Sequence, residues 1–182
     1  MQWILGGWSI KGQRPEPDKY VVVVAHHTSN WDFFIALSAK FILELRTCFF
    51  GKHTLFIGPF GWIMRILGGI PIKRSGSKNR VDQIIKAIRE SDQFILALTP
   101  EGTRSKVKKW KTGFYYIAHG AGVPIIPAAL DFKNKEFVIG QPFFTTGNIS
   151  EDMKALHRFF APYQPKYPEL SCQGELEEFI NK

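Results

Sequence analysis

Residues 21–32, which read VVVVAHHTSNWD, limit the possible folds more than any other part of this chain. The five apolar residues at 21–25 do not alternate with polar ones, and this pattern predicts a strand buried on both faces. Thr28, Ser29 and Asn30 are residue types that cap helices, and apolar residues at helical spacing follow them. The stretch therefore predicts a buried strand, a short turn that contains His27, and a helix.

Asp32 falls in the first turn of the predicted helix, where the helix dipole favours its negative charge. From there its carboxylate can fold back to one nitrogen of the His27 ring, which leaves the other ring nitrogen as a base. Two alternatives stay open. The two histidines can form a structural hydrogen-bonding pair, or His26, His27 and Asp32 can bind a metal ion, although adjacent residues of an extended chain point to opposite faces.

Strand and helix patterns alternate along most of the remaining sequence. We expect further strands at 48–50, 70–72, 94–98, 123–130 and 136–139, and helices at 32–46, 62–67, 79–90, 112–119, 150–160 and 174–180. This alternation predicts right-handed crossovers and an α/β fold, with a mostly parallel central sheet and helices on both of its faces. A length of 182 residues without a low-complexity linker favours one domain over residues 1–182.

Two stretches of the sequence contain several cations and no acid, one between Glu44 and Asp82 and one between Glu101 and Asp131. Each includes the end of a predicted strand, the position at which open α/β sheets bind ligands. Arg74 and Arg104 come directly after a strand or a turn, and a guanidinium group can hold a phosphate with two parallel hydrogen bonds. The formal charge of +8 also favours an anionic partner: a phosphate, a nucleic acid or an anionic membrane. The outer lysines fit a solvated surface equally well.

The loop at residues 99–105, TPEGTRS, has the composition of an anion-binding turn. Gly102 allows a close backbone approach, while Thr103 and Arg104 offer hydrogen-bond donors. Glu101 does not suit a loop of this kind, because a carboxylate repels a phosphate. We therefore expect Glu101 to bind a substrate hydroxyl or to orient a basic partner.

The first ten residues, MQWILGGWSI, form an apolar segment that is far too short to span a membrane. Trp3 and Trp8 suit a membrane interface, and with the lysine-rich segment 106–111 they predict salt-sensitive binding to anionic vesicles. Deletion of residues 1–10 would then weaken this binding without unfolding the domain. The alternative is a terminal segment that packs on the domain.

Four sequence blocks, HHTSNWD, GGIPIKR, PEGTRS and VPIIPAAL, occur in the order and at about the spacing found in the glycerophospholipid acyltransferases. The chain resembles that family over residues 20–130. The resemblance implies transfer of a fatty acyl group from a thioester to a hydroxyl of a lysophospholipid or glycerol phosphate, with His27 as general base and Asp32 as its orienting partner. It assigns six further residues to the acceptor site: Lys52, Arg74, Glu101, Gly102, Thr103 and Arg104.

The resemblance also implies the other participants in the reaction. The acyl donor would be acyl-coenzyme A or acyl-carrier protein, with no bound cofactor or metal and no nucleic-acid partner. We expect a cytoplasmic protein that lies peripherally on the inner face of the membrane. The second block departs from the family pattern before Arg74, where the family often has an aromatic residue and an acid and this chain has Ile72 and Lys73.

An acyl chain requires an apolar groove, and five aromatic residues are candidates for its lining: Phe33, Phe34, Phe56, Phe60 and Trp62. Two other functions stay open. One is a basic module that binds anionic lipid or nucleic acid without catalysis, in which Trp110 stacks on a base between phosphate-binding lysines. The other is a lipid hydrolase in which the same His27 and Asp32 activate water.

Overall fold

An eight-stranded sheet lies at the centre of the protein, which a computed structural model describes over residues 2–72 and 78–171, with side chains described at 6–71 and 80–171. The strands of this described part are β1 (Gln2–Ile4), β2 (Trp8–Lys11), β3 (Lys19–Ala25), β4 (Thr47–Lys52), β5 (Gly69–Ile72), β6 (Phe94–Leu98), β7 (Ile125–Asp131) and β8 (Glu136–Ile139). The helices are α1 (Trp31–Ile42), α2 (Gly58–Ile66), α3 (Lys78–Glu90), α4 (Gly113–Ala121) and α5 (Ile149–Phe160).

The strand order is β1-β2-β8-β7-β3-β6-β4-β5, and the five strands from β7 to β5 are all parallel to one another. Strand β8 is antiparallel to β7, and the β1–β2 hairpin extends the sheet beyond β8. Strand β3 lies at the centre, with β7 paired on one side and β6 on the other. The predicted α/β class with a mostly parallel sheet is confirmed.

The apolar run of β3 contributes to a core on each face of the sheet, because successive side chains of a strand point to opposite sides. Val22 and Val24 pack in the cluster that includes Ile35 and Ala39 of α1. Val21, Val23 and Ala25 pack in the other cluster, which contains residues of α3, α4 and α5. The run lacks polar residues because both faces of this strand are covered.

Helices α1 and α2 lie side by side at their carboxyl ends. Lys40, in the last turn of α1, donates hydrogen bonds to the carbonyl oxygens of Thr47 at 2.9 Å and of Leu67 at 2.6 Å. Leu67 is the residue that follows α2. Helix α1 packs in the cluster on the face opposite to α4 and α5. Helix α2 lies on the α1 side, because Phe49 and Gly51 of β4 point to one face, where they meet Phe33 of α1 and Phe56, which contacts α2.

Several element boundaries differ from those that the sequence predicts. Helix α1 ends at Ile42 rather than at residue 46, because the chain turns at Glu44, which has a φ of 54°. Helix α2 begins at Gly58, four residues before the predicted start. The helix expected at 174–180 and the site residue Arg74 lie outside the described residues.

The N-terminal segment is part of the domain, which corrects the expectation that Trp8 enters a membrane interface. The Trp8 side chain is only 6% exposed and packs edge-on against Phe132, with ring centroids 4.7 Å apart. Ile10 is buried in the same cluster. Deletion of residues 1–10 would remove core side chains and a sheet strand, so we expect it to destabilise the fold. Within the described ranges, no helix is long and apolar enough to cross a bilayer.

Substitution of Gly61 in α2, compared with substitution of Gly113 in α4, tests the packing around α2. A Cβ atom at Gly61 would collide with the backbone of Phe56, whereas a Cβ at Gly113 would have no heavy atom within 4 Å. Gly61→Ala should lower the free energy of unfolding by about 1 to 3 kcal/mol through overpacking. Gly113→Ala should raise it by up to about 1 kcal/mol through helix propensity. Urea denaturation measures both, and equal effects of the two substitutions would contradict this packing.

Candidate active site

The turn between β3 and α1 is held together by one carboxylate oxygen. Oδ2 of Asp32 accepts hydrogen bonds from the backbone N–H groups of Thr28, at 2.9 Å, and of Ser29, at 2.8 Å. The same oxygen lies 3.0 Å from Nδ1 of His27. The residue types expected to cap the helix act differently from the prediction, since Asn30 makes no side-chain capping bond and Ser29 Oγ accepts from the N–H of Trp31. The Asp32 carboxylate organises the turn instead.

This geometry selects the tautomer of His27. Oδ2 of Asp32 acts as an acceptor in this turn, so Nδ1 of the His27 ring carries the hydrogen and donates a hydrogen bond to Asp32. Nε2 is then left with a free lone pair. The His27 side chain is 20% exposed while that of Asp32 is 2% exposed, so the ring can meet a substrate and the carboxylate is shielded behind it. Chemically, a ring held in this way can act as a general base, with the buried carboxylate as its orienting partner.

Glu101 lies directly behind the His27 turn. Its Oε1 atom accepts from the backbone N–H of His27 at 3.4 Å and lies 3.8 Å from Nδ1 of His26. The residue is 3% exposed, and burial raises the pKa of its carboxyl to about 7. Backbone hydrogen bonds, including that of His27, lower this pKa in part, and the charge of Asp32 adds to the rise. The carboxyl therefore faces the turn that contains His26 and His27.

The His26 ring, which contacts the Glu101 carboxyl, belongs to a layer of packed aromatic side chains. The ring of His26 is fully buried, with ring centroids 6.4 Å from Trp110 and 6.1 Å from Phe160. Trp110 also lies against His157 of α5, at 4.3 Å between centroids. Burial lowers the pKa of both His26 and His157 to about 4. Between about pH 4 and pH 7 the contact between His26 and Glu101 therefore joins two neutral groups and is not an ion pair.

The contributions of His157 and Trp110 to this layer are missed by the sequence analysis. A signal for His157 exists in the spacing of the buried residues of α5, because Met153, Leu156 and Phe160 define a face on which residue 157 also lies. Trp110 is surrounded by lysines in the sequence, which suggests exposure, yet it is only 6% exposed. Its ring is not available to stack on a nucleic-acid base. This removes the observation that favoured a nucleic-acid module.

The loop at residues 99–105, which contains Arg104, follows β6 at the edge of the sheet where the His27 turn lies. Since β3, β4 and β6 are parallel, their carboxyl ends place His27, Lys52 and Glu101 at one edge. Gly102 has a φ of +63°, which L side chains rarely adopt, and a Cβ there would lie 2.7 Å from Nζ of Lys111.

Exposed cations near this edge include Lys52, Arg104 and Lys111. Thr103 Oγ1 accepts from the N–H of Ser105 at 3.3 Å. No group of three or more His, Cys, Asp or Glu residues in the described part of the chain is arranged to hold a metal ion.

The five aromatic residues proposed to line an acyl groove do not share one environment. Phe56 is 5% exposed and belongs to the interior, and half-buried Phe33 packs against Phe49 with ring centroids 5.6 Å apart. Phe34, Phe60 and Trp62 are exposed by 50%, 56% and 67%. Only Phe33 and Phe34 follow directly on the His27 and Asp32 turn in the sequence.

Comparison with known proteins gives concordant results. The family model described as Acyltransferase matches residues 9–131. A chloroplastic 1-acyl-sn-glycerol-3-phosphate acyltransferase of Brassica napus is 32% identical over 123 residues, which are 64% of this chain and 34% of that protein. Bacterial proteins of the same name are each 29% identical, from Haemophilus influenzae over 68% of this chain and 54% of theirs, and from Pseudomonas aeruginosa over 67% and 48%. The chain spans about one third of the plant relative and about half of the bacterial ones.

Burial of His157 predicts that the free energy of unfolding depends on pH. Burial lowers the pKa of His157 from its ordinary value of about 6.5 to about 4 in the folded protein, so between these pH values His157 is neutral when folded and protonated when unfolded. The free energy of unfolding should therefore fall as the pH drops from about 6.5 to 4. His157→Phe keeps a ring against Trp110 and should reduce this fall by up to about 3 kcal/mol. Urea denaturation at several pH values measures it. Parallel pH profiles for wild type and variant would show that His157 does not titrate in this way.

Proposed function

Because the chain belongs to the acyltransferase family, we propose that it transfers a fatty acyl group from an acyl thioester to the hydroxyl of a 1-acylglycerol-3-phosphate-like acceptor. The observation that carries this proposal is the contact between His27 Nδ1 and Asp32 Oδ2, at the sheet edge that also holds Glu101 and exposed cations. A thioester is already activated, so the reaction needs a base, a positioned alcohol and stabilisation of an oxyanion, but no protein nucleophile.

In the proposed reaction, Nε2 of His27 removes the proton from the acceptor hydroxyl. The hydroxyl oxygen attacks the thioester carbonyl, and a tetrahedral intermediate forms with a new C–O bond. When this intermediate collapses the C–S bond breaks, and the thiolate takes the proton from the His27 imidazolium. Asp32 stabilises the imidazolium through the Nδ1–H bond throughout, and its two backbone donors fix the carboxylate in place.

Glu101 acts in this proposal as a positioning residue. Its Oε1 atom holds the backbone N–H of His27, and so it fixes the point from which the imidazole projects. The acceptor phosphate would be bound by the exposed cations Lys52, Arg104 and Lys111 and by Arg74. Gly102 and Thr103 would shape the loop around it. Guanidinium groups suit this role because they present paired donors to phosphate oxygens.

The remaining participants follow from the same chemistry. We assign the donor to acyl-coenzyme A or acyl-carrier protein, with no bound cofactor. The product is a lipid, so we place the protein peripherally on an anionic membrane surface during catalysis, in line with its formal charge of +8.

Replacement of either member of the His27 and Asp32 pair tests the base. His27→Ala should lower the rate of transfer by about 10²- to 10⁴-fold, the usual contribution of general base catalysis. Asp32→Asn should also abolish most activity, because the wrong tautomer of His27 becomes accessible. Mass spectrometry of lipids, after incubation with acyl-coenzyme A or acyl-carrier protein and a panel of lysolipids, detects the product. The exposed Lys133→Ala is the control and should leave transfer unchanged.

Two results of that experiment would contradict the proposal. Near-normal transfer by the His27 or Asp32 variants would exclude the pair as the base. Release of free fatty acid by the wild type, independent of any acceptor, would assign the pair to hydrolysis instead.

The cationic residues should affect acceptor binding more than chemistry. Arg104→Ala and Arg74→Ala should each raise KM for a phosphate-bearing acceptor, with a smaller change in kcat. The magnitude expected for one lost charge-assisted hydrogen bond is about 10-fold. Steady-state kinetics with acceptor and donor varied in turn separate the two sites. An unchanged acceptor KM with a raised donor KM would place these arginines on the thioester.

A further inference from the structure

Helix α2 exposes most of its large apolar side chains. Phe60, Trp62, Ile63 and Ile66 are exposed by 56%, 67%, 46% and 62%, while the buried residues of the helix are Gly61 and Met64. A surface helix of a folded protein normally turns its apolar residues inward, so a helix that presents four of them to the outside marks an interaction surface.

Helix α1 extends this surface beside α2. Phe34 and Phe41 are exposed by 50% and 60%. The bonds of Lys40 to the carbonyl oxygens of Thr47 and Leu67 place the carboxyl end of α1 beside that of α2. We call the exposed side chains Phe34, Phe41, Phe60, Trp62, Ile63 and Ile66 the apolar face.

The charges around the apolar face identify what covers it. In the sequence between Asp32 and Asp82, Glu44 is the sole acid. Exposed cations lie next to these helices along the chain: Arg46 follows α1, Lys52 precedes α2, and Arg65 is in the last turn of α2. An apolar centre with a cationic border complements an anionic lipid surface, whose phosphates attract the border while the acyl region accepts the centre. A second copy of this chain that packed on the apolar face would instead place its own cations against the cations of the first copy.

The apolar face also continues to the candidate active site. Trp31, which is 54% exposed, directly precedes Asp32 and lies against Phe34, with ring centroids 6.0 Å apart. Nζ of Lys166 lies 5.4 Å from the Trp31 ring centroid, which adds a cation at this end of the face. A bilayer against the face would therefore lie next to the turn that holds His27.

We propose that the apolar face is the surface through which the protein docks on an anionic bilayer, with α1 and α2 in the lipid interface and the His27 turn at its border. The proposal rests on the proposed acyl transfer for its purpose, since the acyl chains of acceptor and product would pass directly between bilayer and site. It replaces the N-terminal segment as the docking element, because Trp8 is buried in the core.

Sedimentation with vesicles tests the docking surface. The vesicles contain equal parts of phosphatidylglycerol and phosphatidylcholine, and a second set contains phosphatidylcholine alone. The double variant Ile63→Ser with Ile66→Ser should bind the anionic vesicles at least 10-fold more weakly than the wild type. The matched control is Tyr116→Ser with Phe144→Ser, which changes two side chains exposed by 52% and 63% outside the apolar face. The control should bind within 2-fold of the wild type.

Three results of the vesicle assay would overturn the docking proposal. These are wild-type binding by the Ile63 and Ile66 variant, an equal loss in both double variants, and binding to phosphatidylcholine alone as strong as to the anionic vesicles. Dimers of the wild type that the α2 substitutions abolish, without any vesicle binding, would also overturn it and assign the face to a second copy.

A separate assay distinguishes this proposal from the proposed function. With a short-chain acceptor dispersed as monomers in solution, the Ile63 and Ile66 variant should transfer acyl groups at the wild-type rate. If transfer occurs but the variant docks normally, the docking surface is wrong and the function stands. If no protein shows transfer while docking depends on the face, the function fails and the docking surface stands.

Discussion

Oδ2 of Asp32 is the atom on which the arrangement of the candidate site depends. It accepts from two backbone N–H groups and from the ring of His27, so one carboxylate oxygen fixes both the path of the turn and the orientation of the imidazole. The position of this oxygen follows from the sequence, since the central strand ends at Ala25 and the helix begins at Trp31. A five-residue turn between them leaves the first helical turn facing the residues that precede it.

Two carboxyl groups of the site, those of Asp32 and Glu101, lie close to the same turn but have different hydrogen-bond partners. Asp32 is buried, and its Oδ2 atom receives hydrogen bonds from two backbone N–H groups and from the His27 ring. Glu101 is buried with fewer donors, and burial raises its pKa to about 7. Glu101 contacts the buried ring of His26, which packs near Trp110. Glu101 thus lies behind the His27 turn, while Lys52 and Arg104 are exposed at the same edge of the sheet.

The sequence predicts the features that depend on local pattern, and it fails where burial depends on distant residues. The central strand, the α1 helix and the position of His27 in the turn between them follow from a run of valines, the polar residues after it and the apolar residues at helical spacing that come next. The N-terminal hairpin does not, because its place in the sheet is decided by pairing of β2 with β8, more than a hundred residues later. Trp110 lies among lysines and is nevertheless buried, since α5 covers it. The exposed apolar side chains of α2 could be seen only once their neighbours were placed.

The protonation of the His27 ring tests the account most directly. Nuclear magnetic resonance of protein labelled with ¹⁵N in histidine reports which ring nitrogen bears hydrogen when the imidazole is neutral. The hydrogen bond to Asp32 predicts a protonated Nδ1 and an unprotonated Nε2 in the wild type, with this preference lost in Asp32→Asn. A wild-type ring protonated at Nε2, or one unaffected by the substitution, would contradict the assignment of His27 as a base oriented by Asp32.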